Sequence, residues 1–285
     1  SVFWFWITPV GVNNYVNKIT LQMALESPET LTHIGMIDNT ILDFHSDRLD
    51  SYTKEGEEEL LQKLHTAREG LNGYGPDELD GQELLTWEIT AWFLDNMIRQ
   101  SLFERDGYRI NQISGVTVNL PQFLSDTHAV IDDRSAKNYL SRLNEFSRVL
   151  NEVRVRVIDD SENGVIPPDF IIEKTLLGLR AFVADEPEKN PLVTTFDNRL
   201  ANLQTISPSD KNRFTAEAIK LVQTKIYPQY KMIIDVFNKF SQIANSHAGI
   251  WRIPNGDAIY QAKLHSSTTT NITADEIHNL GLKEV

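Results

Sequence analysis

The sequence predicts an all-α fold, a body of about ten helices with at most one short β-strand or hairpin near Tyr108–Leu120. Three observations predict it. Apolar residues recur at three- and four-residue spacing through most of the chain, helix start and stop residues bracket those segments, and only one run alternates apolar with polar residues.

Val12–Glu26 places Val12, Val16, Ile19, Met23 and Ala24 on one helical face. Ser27-Pro28-Glu29 then restarts a helix, with Ser as cap and Pro at the first position, where its missing N–H costs nothing. Gly35 ends it. Glu57–Leu71 is amphipathic through Leu60, Leu61, Leu64 and Ala67, and Gly70, Gly73, Gly75 and Pro76 close it. In Gln82–Phe103, Leu84, Trp87, Ala91, Leu94, Ile98 and Leu102 form one stripe, which Leu85, Ile89, Trp92 and Phe93 broaden. So wide an apolar surface predicts a place in the middle of the protein.

Tyr108–Leu120 breaks the pattern: Val116, Val118 and Leu120 alternate with polar residues between Gly115 and Pro121, which reads as a strand. Helical spacing resumes over Ser135–Val157 through Tyr139, Leu143, Phe146, Val149, Leu150 and Val153. Asp159–Pro168 reads as a turn. The helix from Asp169, through Ile172, Leu176, Leu179 and Phe182, stops before Pro187 and Pro191. Phe196–Leu203 and Ser209–Ile226 follow, and Tyr227-Pro228 separates off a last segment ending near Ser246.

Gly249–Val285 concentrates the remaining signals. Pro254-Asn255-Gly256 is a turn cluster, Asp257 opens a helix carrying Ile259, Tyr260 and Leu264, and the hydroxyl run Ser266–Thr270 stops it. Thr273 with Glu276 forms a capping box. The helix it opens carries Ile277, Leu280, Leu282 and Val285 with no stop signal, which reads as a cut end. With no fixed repeat and no low-complexity linker, residues 9–285 are expected to form a single helical domain.

Composition excludes several classes. Hydrophobic residues at 41% and charged residues at 24% fit neither wholesale disorder nor a multi-span membrane protein. A formal net charge of -13 without a Lys/Arg cluster argues against a nucleic-acid partner. The absence of cysteine removes disulfides, thiolate nucleophiles and thiolate metal sites. Val2–Ile7 is a short aromatic-rich run, far below the roughly 20 residues that span a bilayer, and reads either as a first core segment or as the outer end of a signal or anchor.

The seven histidines (33, 45, 65, 128, 247, 265 and 278) include no pair four apart, so the helical zinc signature His-Glu-x-x-His is absent. Nucleophile-elbow, dinucleotide and phosphate-loop patterns are also missing. Glu88 and Asp95 could pair as catalytic carboxylates, but partners among neighbouring Arg or Lys are the favoured reading. A catalytic Ser or Thr within Ser266–Thr270 would need a base, and adjacent His265 does not reach it along a helix. A loop whose hydroxyls satisfy backbone groups is therefore preferred.

An ordered set of pieces carries a resemblance: Ala24–Thr32 ahead of Gly35, Asn111-Gln112 ahead of Gly115, Leu120-Pro121, Ile166–Phe170 with Glu173-Lys174, Tyr227-Pro228, Trp251–Gly256, and Thr268–Thr270 followed by Ile272-Thr273, Glu276–His278, Gly281-Leu282 and Glu284-Val285. Together they resemble, nearly end to end, the bacterial "domain of unknown function 885" family, whose members are described as lipoproteins or secreted proteins and grouped with thermolysin-like zinc metallopeptidases. The resemblance implies a chain about twice as long, mostly helical, with a His-Glu-x-x-His helix in a following half. It assigns no catalytic or metal-ligating residue here and no cofactor to this chain, with zinc expected in the full-length protein. Members often carry a His immediately before the three threonines, where this sequence has Ser267, with His265 two residues earlier.

On this reading the chain is the N-terminal helical region of a cell-envelope metallopeptidase-like hydrolase, inactive alone and forming one wall of a peptide cleft. Tyr260, Thr268, Thr269 and Thr270 would bind substrate, and Tyr108–Leu120 could lend it an edge strand. Residues 1–8 would be the end of a trimmed membrane anchor, the location periplasmic or extracytoplasmic, and the partners a peptide, the membrane and the C-terminal half of the same polypeptide. The alternative is a non-catalytic envelope protein acting as a binding or scaffold module.

Overall fold

The structure, a computed structural model, describes residues 9–103 and 105–284. The expected anchor end at residues 1–8 lies outside them. The fold is all-α: 71% of the described residues are helical, with almost no strand among them. In order the helices are α1 (Val12–Glu26), α2 (Pro28–Ile34), α3 (Lys54–Leu71), α4 (Gly81–Ser101), α5 (Val116–Gln122), α6 (Asp133–Glu162), α7 (Asp169–Phe182), α8 (Pro191–Ala201), α9 (Pro208–Leu221), α10 (Tyr227–Phe240), α11 (Gly256–Thr268) and α12 (Ala274–Glu284). They fall into two compact units. The first takes the described residues of Ser1–Met23, Lys54–Gly107 and His247–Val285, and the second takes Ala24–Thr53 and Tyr108–Ser246.

In the first unit α3 packs on α4. Val12, Tyr15 and Ile19 of α1 join Leu64, Ala67, Leu71, Ala91 and Leu94 in its core. Gly70 does more than end a helix: a Cβ there would lie 2.1 Å from the Tyr15 hydroxyl, which donates to the Ala67 carbonyl at 2.8 Å. The broad apolar face of α4 is not central to the protein. Leu85, Ile89 and Phe93 are exposed by 46%, 59% and 50%, because each lies roughly 130–170° round the helix from the stripe that Ala91 and Leu94 bury.

The second unit is built on α6. Asp132 and Ser135 cap it reciprocally, and the residues expected from its spacing, Tyr139 to Val157, are buried along one face. Ser27 caps α2 through Thr30 N–H at 3.0 Å, with Pro28 in the first turn and Gly35 in the left-handed conformation after it.

Two expectations for this unit are corrected. Tyr108–Leu120 holds no strand: one antiparallel bridge joins Ile110 to Gly115, and α5 begins at Val116. Val116 and Leu120 are both buried, and their four-residue separation satisfies a helical period as well as an alternating one, so five residues could not discriminate. Gly115, at φ 100, makes the turn, and a Cβ there would meet the Arg109 carbonyl at 2.3 Å. Tyr227-Pro228 does not separate two helices either. Helix continues from α9 to α10 through a π-helical turn at Val222–Ile226, and Pro228 sits in the first turn after the register change, where its missing N–H is tolerated. A second π turn, Phe123–Thr127, extends α5, with Pro121 inside the helix before it.

Candidate functional site

The densest buried chemistry lies where α6 meets residues 27–53. Arg142, fully buried, donates from Nε to the Arg48 carbonyl (2.9 Å), from one terminal nitrogen to His128 Nδ1 (2.7 Å), and from the other to Thr32 Oγ1 (2.7 Å). The Pro28 and His45 carbonyls lie at 3.4 Å from that last nitrogen. Phe123 packs under the guanidinium, 4.9 Å from its ring centre. Burial pushes Arg142 down to about 10, with Asp38, Glu29, Asp43 and Asp47 opposing the shift, so it stays cationic at neutral pH.

His128 accepts from Arg142 at Nδ1 and so carries its proton on Nε2, which donates to the Ser135 carbonyl at 3.2 Å. Burial first, and then the Arg142 charge, push it down to about 3. His45, fully buried, faces Asp38 at 2.8 Å through Nε2, while its Nδ1 lies 3.3 Å from Asp43 out of hydrogen-bond alignment. Burial raises the Asp43 carboxyl, but hydrogen bonds from Asn39 and Ser46 outweigh it and hold the group below the usual range. Glu29 and Asp50 exchange backbone bonds, Glu29 N–H to Asp50 at 3.0 Å and Asp50 N–H to Glu29 at 3.1 Å. Burial, and then the charge of Asp50, raise the Glu29 carboxyl. Each of these groups is occupied in fastening an irregular segment. The signal in the sequence was a lone Arg142 inside the apolar stripe of Tyr139, Leu143 and Phe146.

The same unit holds a pocket of about 340 Å³. Thr117, Val118, Pro121 and Gln122 of α5 form one wall, and Thr175, Gly178, Leu179 and Phe182 of α7 another. Tyr230 of α10 stacks on Phe182 at 4.3 Å and donates its hydroxyl to the Thr117 carbonyl at 2.7 Å. Asn111 and Gln112 line it from the loop before α5, and Ser125 and Pro191 complete it. That loop is anchored by Arg109, whose Nε meets Asp160 of α6 at 2.7 Å. No lining residue is charged.

The four residues expected to bind substrate lie in the first unit. Tyr260, on α11, is 43% exposed. Thr268 ends that helix and donates to the Leu264 carbonyl (2.8 Å), Thr269 is left-handed at φ 56, and Thr270 accepts from Ile272 N–H (3.3 Å). His265 Nδ1 meets the Thr270 carbonyl at 2.9 Å. The three threonines thus form one local turn, and Tyr260 belongs to the helix before it. Asn96 of α4 donates to Ser266 at 3.1 Å, fixing the end of α11. Asp95 pairs with Arg68 at 2.8 Å, while Glu88 on the same helix is exposed. The capping box of α12 closes with Glu276 N–H on Thr273 Oγ1 (3.2 Å) and Thr273 N–H on Glu276 Oε2 (2.8 Å).

Among the described residues no group of three or more His, Asp or Glu could hold a metal ion, so the residues present do not fit a zinc site. No described helix is long and apolar enough to cross a membrane.

No curated protein matches the chain. Among solved structures, the "putative lipoprotein" from Colwellia psychrerythraea superimposes with a TM-score of 0.84 at 19% identity, over 96% of this chain and 49% of that one. The chain therefore spans about half the length of that structure, and the likeness establishes a shared fold. The profile of the family described as "Bacterial protein of unknown function (DUF885)" matches residues 28–285, and the chain belongs to that family.

Proposed function

We propose that this chain is the non-catalytic helical half of a longer cell-envelope protein, shaping a binding surface while zinc-dependent peptide hydrolysis is carried by residues beyond this sequence. One observation supports it most: nearly the whole chain matches about half of a solved family-like fold. The lipoprotein description of that neighbour supports an envelope location, with residues 1–8 as the anchor end. In this reading Tyr260, Thr269 and Thr270, all exposed, are wall residues for a peptide. Thr268, committed to the Leu264 carbonyl, positions the other two. The edge strand once expected at Tyr108–Leu120 has no part in it, since that segment is largely loop and helix.

The test is to express the gene's longer reading frame beside the present chain, then measure zinc by mass spectrometry and cleavage of a mixed peptide library. The expected result is one zinc per longer chain, with cleavage, and neither in the present chain. Tightly held zinc in the present chain, or a longer frame without His-Glu-x-x-His, overturns the peptidase reading. A second reading, a non-catalytic binding or scaffold module, is favoured by the pocket of the second unit, whose lining contains no carboxylate, His, Lys or Arg.

A further inference from the structure

We infer that the uncharged face of α4 and helix α12, both in the first unit, dock the half of the longer polypeptide that follows Val285; the inference rests on the proposed reading that such a half exists. Leu85, Ile89 and Phe93 recur at four-residue spacing on α4 and are exposed. Thr86 and Thr90 flank them, and their hydroxyls are spent within the helix, donating to the Gln82 carbonyl at 2.8 Å and the Thr86 carbonyl at 2.7 Å. The charged residues of α4, Glu83, Glu88, Asp95 and Arg99, all lie outside that sector. A solvated helix face ordinarily carries charge, as α3 does at Glu58 and Glu59, whereas the core of a docking face is depleted of it.

Helix α12 points to the occupant. It has eleven residues and buries none of them, with Leu280 and Leu282 exposed. So short a helix is marginal in water without a partner. Its start is tied to the same side of α4: Asn96, on the face that carries Leu85 and Ile89, holds Ser266 of α11, and Gln261 of α11 donates to the Ile272 carbonyl at 3.1 Å. A segment continuing from α12 is therefore tethered beside the uncovered stripe, at an effective concentration of roughly millimolar, far above that of a second copy in micromolar solution. About half of the solved family-like chain has no counterpart here, enough polypeptide to cover both surfaces.

The absence of cysteine makes the test direct. Ile89→Cys and Leu280→Cys each introduce one thiol, in the present chain and in the protein from the longer reading frame. Both are treated with a thiol-reactive maleimide, and the modified peptide is followed by mass spectrometry, which separates the introduced thiol from any in the added half. Both thiols are expected to react at least tenfold more slowly in the longer protein than in the present chain. Should Ile89→Cys unfold the longer protein, Thr86→Cys reports on the same face. Equal rates in the two proteins at either surface overturn the inference, as does a reading frame that stops close to Val285. Protection that grows with the concentration of the present chain gives the face to a second copy and also overturns it. Zinc and cleavage measured on the same samples keep the two proposals apart: protection without them counts against the peptidase reading alone, and zinc with cleavage but no protection counts against the docking alone.

Discussion

Replacing Arg142 tests whether residues 27–53 are held by a donor fork and not by apolar burial. Arg142 makes three short hydrogen bonds, to the Arg48 carbonyl, His128 Nδ1 and Thr32 Oγ1. Bonds from a charged donor contribute about 1.5–3 kcal/mol each, so their loss is worth roughly 4–9 kcal/mol. Against this, Arg142→Met removes the cost of burying a guanidinium, several kcal/mol, and keeps most of the packed volume. Glu29, Asp38 and Asp43, which the cation attracts, lose that support. The balance is a net loss of about 3 kcal/mol. Arg142→Lys should do no better, because an ammonium keeps a charge buried and cannot reach three acceptors set for a planar fork. The described tryptophans, 87, 92 and 251, all lie in the first unit, so their fluorescence does not report the affected region. Amide hydrogen exchange over residues 27–53 does. The reasoning is refuted if those amides keep wild-type protection in Arg142→Met, or if Arg142→Lys is clearly more stable than Arg142→Met.

The remaining predictions concern pH and exposed surface. His128 is neutral in the folded protein down to about pH 3, whereas the unfolded chain protonates it near its ordinary value of 6.5. Its contribution is therefore fully present above pH 6.5 and lost as pH falls toward 3, at up to about 1.4 kcal/mol per pH unit. His128→Asn, whose carbonyl can still accept from Arg142, should flatten that window in urea unfolding measured between pH 7 and 4.5; an unchanged slope counts against the assignment. On α4, Leu85→Gln, Ile89→Gln and Phe93→Gln should each change stability by less than about 0.5 kcal/mol, while Leu94→Ala in the same helix should cost about 2–5 kcal/mol. Equal losses in thermal or urea melts would show that the first three are covered.

The helices were legible because capping and apolar spacing are local. Ser27-Pro28 and Thr273 with Glu276 do what their residue types dictate. Legibility failed where a neighbour decides the outcome. Leu85, Ile89 and Phe93 look like core in a list of residue types, yet which side of α4 is covered depends on where α3 lies. Pro228 looks like a boundary, but a change of hydrogen-bond register in the preceding turn lets the helix pass it. The pocket was invisible for a related reason: its walls come from residues more than a hundred positions apart, and its volume depends on an absent side chain at Gly178. Arg142 was the exception that local pattern could have flagged, a fixed charge at a core position of the strongest stripe.

Why helix α6 carries polar residues on its buried side follows from what it contacts. Residues 35–53 and 105–115 supply irregular backbone whose carbonyls and N–H groups cannot be paired by a neighbouring helix's own backbone, so side chains must pair them. Arg142 takes the Arg48 carbonyl, Arg148 takes those of Leu49 and Asp50 at 3.2 Å, and Glu152 accepts from Tyr52 N–H at 3.0 Å. Asp160 holds Arg109. These contacts need not add net stability over an apolar core, since desolvation offsets much of their gain. What they do is place loops at fixed positions along the helix, which apolar contact alone leaves free to slide. The consequence reaches the pocket. Gln112 follows Arg109 by three residues, inside the turn closed by the Ile110–Gly115 bridge, so the wall it contributes is placed by Asp160 together with the buried Ile110.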